Sequence, residues 1–190
     1  QGAFDFRLNK TEATSSCYIQ DTYLPKVDRD ELTHKEESFL IFIACDSNYF
    51  ILHVFHLVLS LKFVKSEYSI HIHIFNPTIE LDNYIYNLRK IIAPIKLYIS
   101  KEVVNLSDYS QPSVYYSSVR FCRYYELSLA NPNCKIIMLD ADSLFRKSPS
   151  LIFDSIESNV DIIINHAENS PMWDQFPASL VYTNSTEKSN

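Results

Sequence analysis

Residues 136–142 read Ile136-Ile137-Met138-Leu139-Asp140-Ala141-Asp142, an apolar run that ends on two carboxylates one residue apart. Such a run is typical of a strand buried in a sheet. Because a strand sends alternate side chains to opposite faces, Asp140 and Asp142 are predicted to project to the same side. Two close carboxylates repel each other unless a cation lies between them. The motif therefore predicts a hard divalent ion with oxygen ligands, shared with a phosphate-bearing substrate. The alternative is a strand-end turn in which Asp acts only as a cap.

The rest of the chain predicts strands that alternate with helices. Besides the strand that carries the Asp pair, strands are predicted over 39–44, 69–75, 95–99, 160–164 and 179–182. Helices are predicted from about 48 to 64, and over 79–92, 113–129 and 150–156. This alternation predicts the α/β class, as a three-layer α/β/α sandwich with a mainly parallel mixed sheet. Ligands of such sheets bind beyond the carboxyl ends of the strands, where Asp46 and the Asp140/Asp142 pair are expected.

Length and charge limit the classes of protein. With 190 residues, 46% of them hydrophobic, the chain predicts one folded domain over 38–190, preceded by a polar linker or the end of a preceding region over 1–37. The net charge of -6 argues against a nucleic-acid partner and weakly against docking on anionic lipid. The longest apolar run, 49–61, is shorter than the ~20 residues of a transmembrane helix, so no membrane span is predicted.

Glycine and cysteine usage exclude further classes. The chain contains only Gly2, where average usage of ~7% would give about thirteen glycines. A Gly-rich dinucleotide loop, a Walker A loop and a G-x-S-x-G nucleophile elbow are all excluded. A bound nucleotide must therefore be held by a metal and side chains. The four scattered cysteines, with no C-x-x-C spacing, predict reduced thiols of a cytoplasmic protein.

Three other features have two readings each. Asp46 follows the first strand and is either a helix cap or an acceptor for the edge of a nucleotide base. His71 and His73 share one side of the second strand, which fits either a metal pair or, more commonly, the semi-polar face of a strand under a helix. Arg120 and Arg123 lie on one helix at i and i+3, so that one is expected to face solvent while the other reaches the phosphates or the Asp pair.

The order of these motifs resembles that of retaining GT-A glycosyltransferases, in particular family 8. The resemblance is carried by the segments 44–49 (Ala-Cys-Asp-Ser-Asn-Tyr), Ser60-Leu61, Val119-Arg120-Phe121 before the D-x-D strand, and 148–154 (Ser-Pro-Ser-Leu-Ile-Phe-Asp). It covers about residues 40–182 of the chain. The D-x-D motif alone is weakly specific, whereas the ordered set of motifs is moderately specific.

The resemblance implies a role for each matching position. Asp140 and Asp142 would hold Mn²⁺ or Mg²⁺, which bridges the diphosphate of a nucleotide-sugar donor, with a UDP-sugar expected. Ala141 would lie against the ribose, and Arg120 near the donor sugar and the acidic pair. The base would contact Ala44, Asp46 and Tyr49, with Tyr49 stacking on it. The implied activity is metal-dependent transfer of the sugar, with retention, to an unknown glycan, lipid or protein acceptor.

The chain departs from the family pattern near its end. Phe176-Pro177-Ala178-Ser179 stands where the family has an Asn-Ser/Ala-Gly segment, and the family's late His, the third metal ligand, is not present. His166 is a poor substitute by position. Because the family continues beyond the point that corresponds to Asn190, the domain is expected to be C-terminally incomplete. Two alternatives stay open: a non-catalytic, degenerate nucleotide-sugar-binding domain, and a haloacid-dehalogenase-type phosphatase, whose D-x-D strand opens its fold.

Overall fold

The computed structural model describes residues 25–107, 112–154, 156, 160, 162–164 and 180–184. The helices are α1 (Arg29–Leu32), α2 (Ser47–Tyr49), α3 (Phe55–Phe63), α4 (Leu81–Ile92), α5 (Pro112–Ala130) and α6 (Ser150–Phe153), and a π-helical turn, Phe50–Val54, joins α2 to α3. The strands are β1 (Phe39–Asp46), β2 (Ser69–Phe75), β3 (Leu97–Glu102), β4 (Lys135–Leu139), β5 (Ile162–Ile164) and β6 (Leu180–Thr183). The predicted alternation of strands and helices is confirmed.

The six described strands form one sheet in the order β3-β2-β1-β4-β6-β5. The first four are mutually parallel, with Ile43 of β1 opposite Ile72 of β2 and Leu139 of β4. β6 runs antiparallel to both β4 and β5. The predicted mainly parallel, mixed sheet is therefore confirmed. The carboxyl ends of β1 and β4 lie next to each other, because these two strands pair directly.

Helices cover both faces of the sheet, which confirms the three-layer sandwich. On one face, Ile41, Ile43 and Ile137 pack with buried residues of α3 and α4. On the other face, Phe42 and Met138 pack under α5 with its Tyr124 and Leu127. Right-handed crossovers explain the division, since the chain moves in opposite directions across the sheet before and after β3.

The second strand is buried on both sides, which agrees with the interpretation of its His side as a covered, semi-polar face. Ser69–Phe75 alternates apolar and polar residues, a pattern typical of a strand with one solvated face. All seven residues are buried, because the N-terminal segment (through His34) and α5 (through Tyr115, which packs on Phe75) both cover the polar side. His71 hydrogen-bonds through Nδ1 to His34 Nε2 (2.7 Å) and through Nε2 to Ser100 Oγ (2.8 Å), and His73 Nδ1 also contacts Ser100 Oγ (2.8 Å). These contacts fit the structural reading of the pair better than a metal role.

Several element boundaries differ from the predictions. β1 runs to Asp46 and β3 spans 97–102, two and three residues beyond the predicted ends, because pairing with β2 extends them through polar residues. The single helix predicted to end near residue 64 is interrupted by the π-helical turn. α6 ends at Phe153, three residues early.

Residues 25–37, predicted as linker, lie against the domain. Leu32 is buried in the core cluster under α5. The side chain of Asn131 donates to the carbonyl of Leu32 (2.7 Å) and accepts from the amide of His34 (2.5 Å). Glu37 accepts hydrogen bonds from Ser69, Lys96 and Tyr98. The described part of this segment therefore packs with the sheet, and the boundary at residue 38 stays a prediction.

Candidate functional site

A cavity of about 560 Å³ opens at the carboxyl ends of β1 and β4. One of its walls comes from the end of β1 and from α2, a second from α5, and a third from the turn that follows β4. Its lining residues are Ala44, Cys45, Asp46, Tyr49, Ser113, Tyr116, Ser117, Arg120, Asp140, Ala141 and Asp142. All seven residues that the sequence singled out are among them, so the structure brings them together. Their individual roles stay predictions.

The Asp pair lies in a turn rather than on a strand. β4 ends at Leu139, and the amide of Ser143 donates to the carbonyl of Asp140 (3.1 Å) to close the turn. The expectation that strand alternation aligns the two carboxylates is therefore wrong. The turn places both at the cavity instead, with Ala141 buried between them and Asp142 exposed.

Arg120 reaches the pair from α5. Its Nη1 donates to Asp140 Oδ1 at 2.5 Å, and the side chains of Arg120 and Asp140 are 18% and 34% exposed. The Nε of Arg120 is buried and has no hydrogen-bond partner among the described residues. A buried N–H group without an acceptor is costly, and an anionic ligand oxygen can satisfy it. This donor therefore fits a cavity that receives a phosphate-bearing ligand.

The other conspicuous arginine of α5 has a structural position. Arg123 is 1% exposed, and its Nε donates to Glu102 Oε2 at 2.6 Å. It also donates to Glu126 (2.7 and 2.9 Å) and to the carbonyl of Pro25 (2.6 Å). The expectation that one of the two arginines faces solvent is therefore wrong. Burial alone would raise the pKa of Glu102, but His73 and Arg123 together hold that pKa below its usual value.

Asp46 is the predicted helix cap, and its second predicted role, as an acceptor for the edge of a nucleotide base, stays a prediction. Its Oδ1 accepts a hydrogen bond from the amide of Tyr49 at 2.8 Å, so it caps α2. The same side chain lines the cavity. Tyr49 is half exposed at this wall, with its ring centroid 4.9 Å from that of His53. An exposed ring at the mouth of a cavity can stack on an aromatic base.

Four lining residues were not predicted as site residues. Three of them, Ser113, Tyr116 and Ser117, lie on the same face of α5 as Arg120. They precede Arg120 by seven, four and three residues, and this helical spacing could have predicted that they share its face. Tyr116 stacks on Phe75, with centroids 5.0 Å apart and planes at 25°. The fourth residue is Cys45. Burial raises the pKa of its thiol, so it stays protonated and is not a nucleophile.

The donor atoms of the site suit a hard cation. Asp140 and Asp142 offer carboxylate oxygens, the ligands that Mg²⁺ and Mn²⁺ prefer. Among the described residues, no group of three or more His, Cys, Asp or Glu forms a complete protein metal site. His166 lies outside the described residues. Two carboxylates fit Mg²⁺-type binding nevertheless, since such ions commonly take one or two carboxylates and complete their coordination with substrate phosphates and water.

No family model matches the chain, and no curated protein sequence gives a significant match. Within the described part of the chain, no helix is long and apolar enough to cross a membrane.

Solved structures do match it. The galactosyltransferase LgtC, in complex with donor and acceptor sugar analogues, is 18% identical with a TM-score of 0.56, and the match covers 79% of this chain and 59% of LgtC. GlyE, a glycosyltransferase of Streptococcus pneumoniae TIGR4, is 13% identical with a TM-score of 0.54, and the match covers 80% of this chain and 35% of GlyE. The bifunctional glycosyltransferase WbbM is 14% identical with a TM-score of 0.56, and the match covers 80% of this chain and 32% of WbbM.

At these identities the matches establish architecture. The chain spans about three fifths of LgtC and about a third of the other two proteins. This chain has the GT-A-type α/β fold that these glycosyltransferases share.

Proposed function

We propose that this chain is a metal-dependent glycosyltransferase domain that binds a nucleotide-diphosphate sugar, with UDP as the expected nucleotide. The observation that carries the proposal is the single cavity at the carboxyl ends of β1 and β4, lined by all seven residues that the motifs single out. The fold shared with LgtC, GlyE and WbbM supports it. The absence of interior glycine supports it as well, because side chains and an ion must then hold the phosphates.

Each wall of the cavity has a part in donor binding. Asp140 and Asp142 would hold Mn²⁺ or Mg²⁺, which supplies a Lewis acid that neutralises the departing diphosphate. Arg120 orients the donor near that charge with a guanidinium already fixed by Asp140. Tyr49 offers its exposed ring to the base, beside the carboxylate of Asp46. The small side chain of Ala141 leaves room for the ribose between the two acids.

A second candidate is donor binding without turnover. One observation favours it: the described residues supply two acidic ligands at this cavity without a third. The acceptor, whether glycan, lipid or protein, and retention at the anomeric carbon belong to the first candidate alone. Retention can be read from the anomer of the released sugar by NMR.

The test is binding and hydrolysis of UDP-sugars in the presence of Mn²⁺. The chain is expected to bind UDP by calorimetry only with the ion, and to release UDP from a UDP-sugar. Asp142→Asn should weaken Mn²⁺-dependent binding at least tenfold, because a neutral amide replaces a charged ligand. Asp154→Asn, an exposed aspartate outside the cavity, is the matched control.

The outcomes separate the candidates. Binding together with UDP release supports transfer, and binding without release supports the degenerate domain. Absence of Mn²⁺-dependent UDP binding refutes both. Release of phosphate from a phosphomonoester in place of UDP binding would support a phosphatase instead.

A further inference from the structure

The helices on the face of the sheet opposite α5 have an unusual charge distribution. Residues 47–101, which contain both helices, have three acidic residues, Glu67, Glu80 and Asp82, although 23 acidic residues in 190 predict about seven in 55 positions. The same stretch contains six of the 17 basic residues of the chain, namely Lys62, Lys65, Arg89, Lys90, Lys96 and Lys101. This face is therefore locally cationic in a protein whose net charge is -6, and the weak argument from net charge against anionic surfaces does not apply to it.

Not all of these cations are available. Lys96 is paired with Glu37, and Lys101 with Asp82 in the first turn of α4. Lys62, Lys65 and Lys90 are exposed. Lys62 donates through Nζ to the carbonyl of Ile91, which places the C-terminal ends of α3 and α4 side by side. The three lysines are therefore grouped where the two helices end.

Exposed apolar side chains lie among these lysines. Phe63 is 86% exposed between Lys62 and Lys65, and Ile91 is 40% exposed next to Lys90. Lys90 Nζ lies 4.0 Å from the ring centroid of the exposed Tyr86. We name these six residues the basic-aromatic patch: Lys62, Phe63, Lys65, Tyr86, Lys90 and Ile91.

The apolar surface continues from the patch along the groove between the two helices. A cavity of about 340 Å³ there is lined by Phe50, Ile51, Phe55, Tyr84, Asn87, Leu88 and Ile91. α3 also carries apolar residues on both its buried side (Leu57, Leu61) and its exposed side (Phe55, Phe63). Large apolar side chains exposed close together mark a surface that interacts with a protein or a membrane.

We propose that the basic-aromatic patch docks this protein on an anionic lipid surface. Protruding aromatic and aliphatic side chains enter the boundary between headgroups and acyl chains, while flanking lysines contact lipid phosphates and bury their stems. A second copy of the chain fits less well, because a two-fold contact through this patch would bring its lysines against their own counterparts. The most exposed apolar residue of the patch, Phe63, also protrudes from the end of a helix instead of forming a recess for a partner's side chain.

The location of the patch is compatible with access to the candidate site. α3 ends just before β2 begins, at the edge of the sheet where the parallel strands start. The cavity lies at the opposite edge, where β1 and β4 end. A chain docked through the patch therefore leaves the cavity open.

The test is cosedimentation of the 190-residue chain with vesicles. Binding is expected to vesicles of phosphatidylcholine with 30% phosphatidylglycerol, and not to phosphatidylcholine alone. The reason is that anionic lipids give the membrane a negative surface potential of about 30 mV in magnitude, which attracts each nearby lysine. It should fall as ionic strength rises from 0.1 to 0.5 M, because the Debye length shortens from about 10 Å to about half that. Lys65→Gln is expected to weaken binding about fivefold, and Phe63→Ser about tenfold or more.

Matched variants make the location testable. Lys35→Gln replaces an exposed lysine and Leu129→Ser an exposed leucine of α5, both outside the patch, and neither should change vesicle binding. Circular dichroism is the control that the Lys65→Gln and Phe63→Ser variants are folded. Equal binding to neutral vesicles, or binding that Phe63→Ser and Lys65→Gln leave unchanged, overturns the proposal. A soluble dimer that Phe63→Ser dissociates, seen by sedimentation velocity without vesicle binding, replaces it with self-association.

Discussion

Replacing Arg123 by Met should destabilise the protein strongly, because it removes the cation from a buried ion pair. The side chains of Arg123 and Glu102 are 1% and 0% exposed and are joined by two guanidinium nitrogens. Met keeps much of the apolar stem and removes the charge. The carboxylate of Glu102 is then left in a dry site without its main cation. Breaking a buried pair in this way costs about 3–5 kcal/mol in the free energy of unfolding.

A double-mutant cycle distinguishes the stranded charge from lost packing. Glu102→Gln removes the other half of the pair, and the double variant Glu102→Gln/Arg123→Met has neither charge. If the stranded carboxylate is the main cost, the double variant loses less stability than the sum of the two single variants, by at least about 1 kcal/mol. The difference arises because the double variant buries no unpaired ion.

Urea unfolding followed by circular dichroism measures all four proteins. For a chain of this size, 3–5 kcal/mol corresponds to a fall in Tm of about 6–20 °C. Arg146→Met, an exposed arginine, is the control and should stay within about 0.5 kcal/mol of the parent. A cost below 1 kcal/mol for Arg123→Met, or strictly additive single and double variants, would refute the reasoning.

Three further predictions concern the histidines, the N-terminal segment and the helix cap. Burial, the largest effect, lowers the pKa of His71 and His73 in the folded chain. As the pH falls below about 6.5, the unfolded chain therefore binds protons before the folded chain does, and the free energy of unfolding should decrease. The expected decrease is up to about 1.4 kcal/mol per pH unit for each histidine. Urea unfolding at pH 5, 6 and 7 measures this, and a flat profile would contradict it. A chain that begins at residue 38 should be less stable than one that begins at residue 25, because it lacks the buried contacts of the N-terminal segment; equal unfolding midpoints would show that these contacts contribute nothing. Asp46→Ala should cost about 1 kcal/mol through loss of the cap, whereas Asp46→Asn, which can still cap, should cost much less; equal costs in thermal unfolding would argue against the cap.

Local patterns in the sequence predicted the elements of the fold, and together with the family resemblance they named seven of the eleven residues that line the cavity. Apolar runs and helical spacing depend on neighbours within a few residues, and for that reason β2 was predicted to the residue. The positions Asp46 and Asp140 follow from the same logic, since parallel strands bring their carboxyl ends to one edge. Arg120 was found through a motif, and its ion pair with Asp140 agrees with the expected placement near the acids.

Tertiary structure decided what depends on distant partners. Helical spacing alone does not distinguish Arg120 from Arg123. In the folded chain, Arg120 binds Asp140, 20 residues away, and Arg123 binds Glu102, 21 residues away. Alternation does not show which distant residues cover the His face of β2, where His34 of the N-terminal segment contacts His71. The Asp pair is aligned by a turn rather than by the pleat of β4. Periodicity thus determines which side chains share a face, whereas long-range packing determines what each face meets.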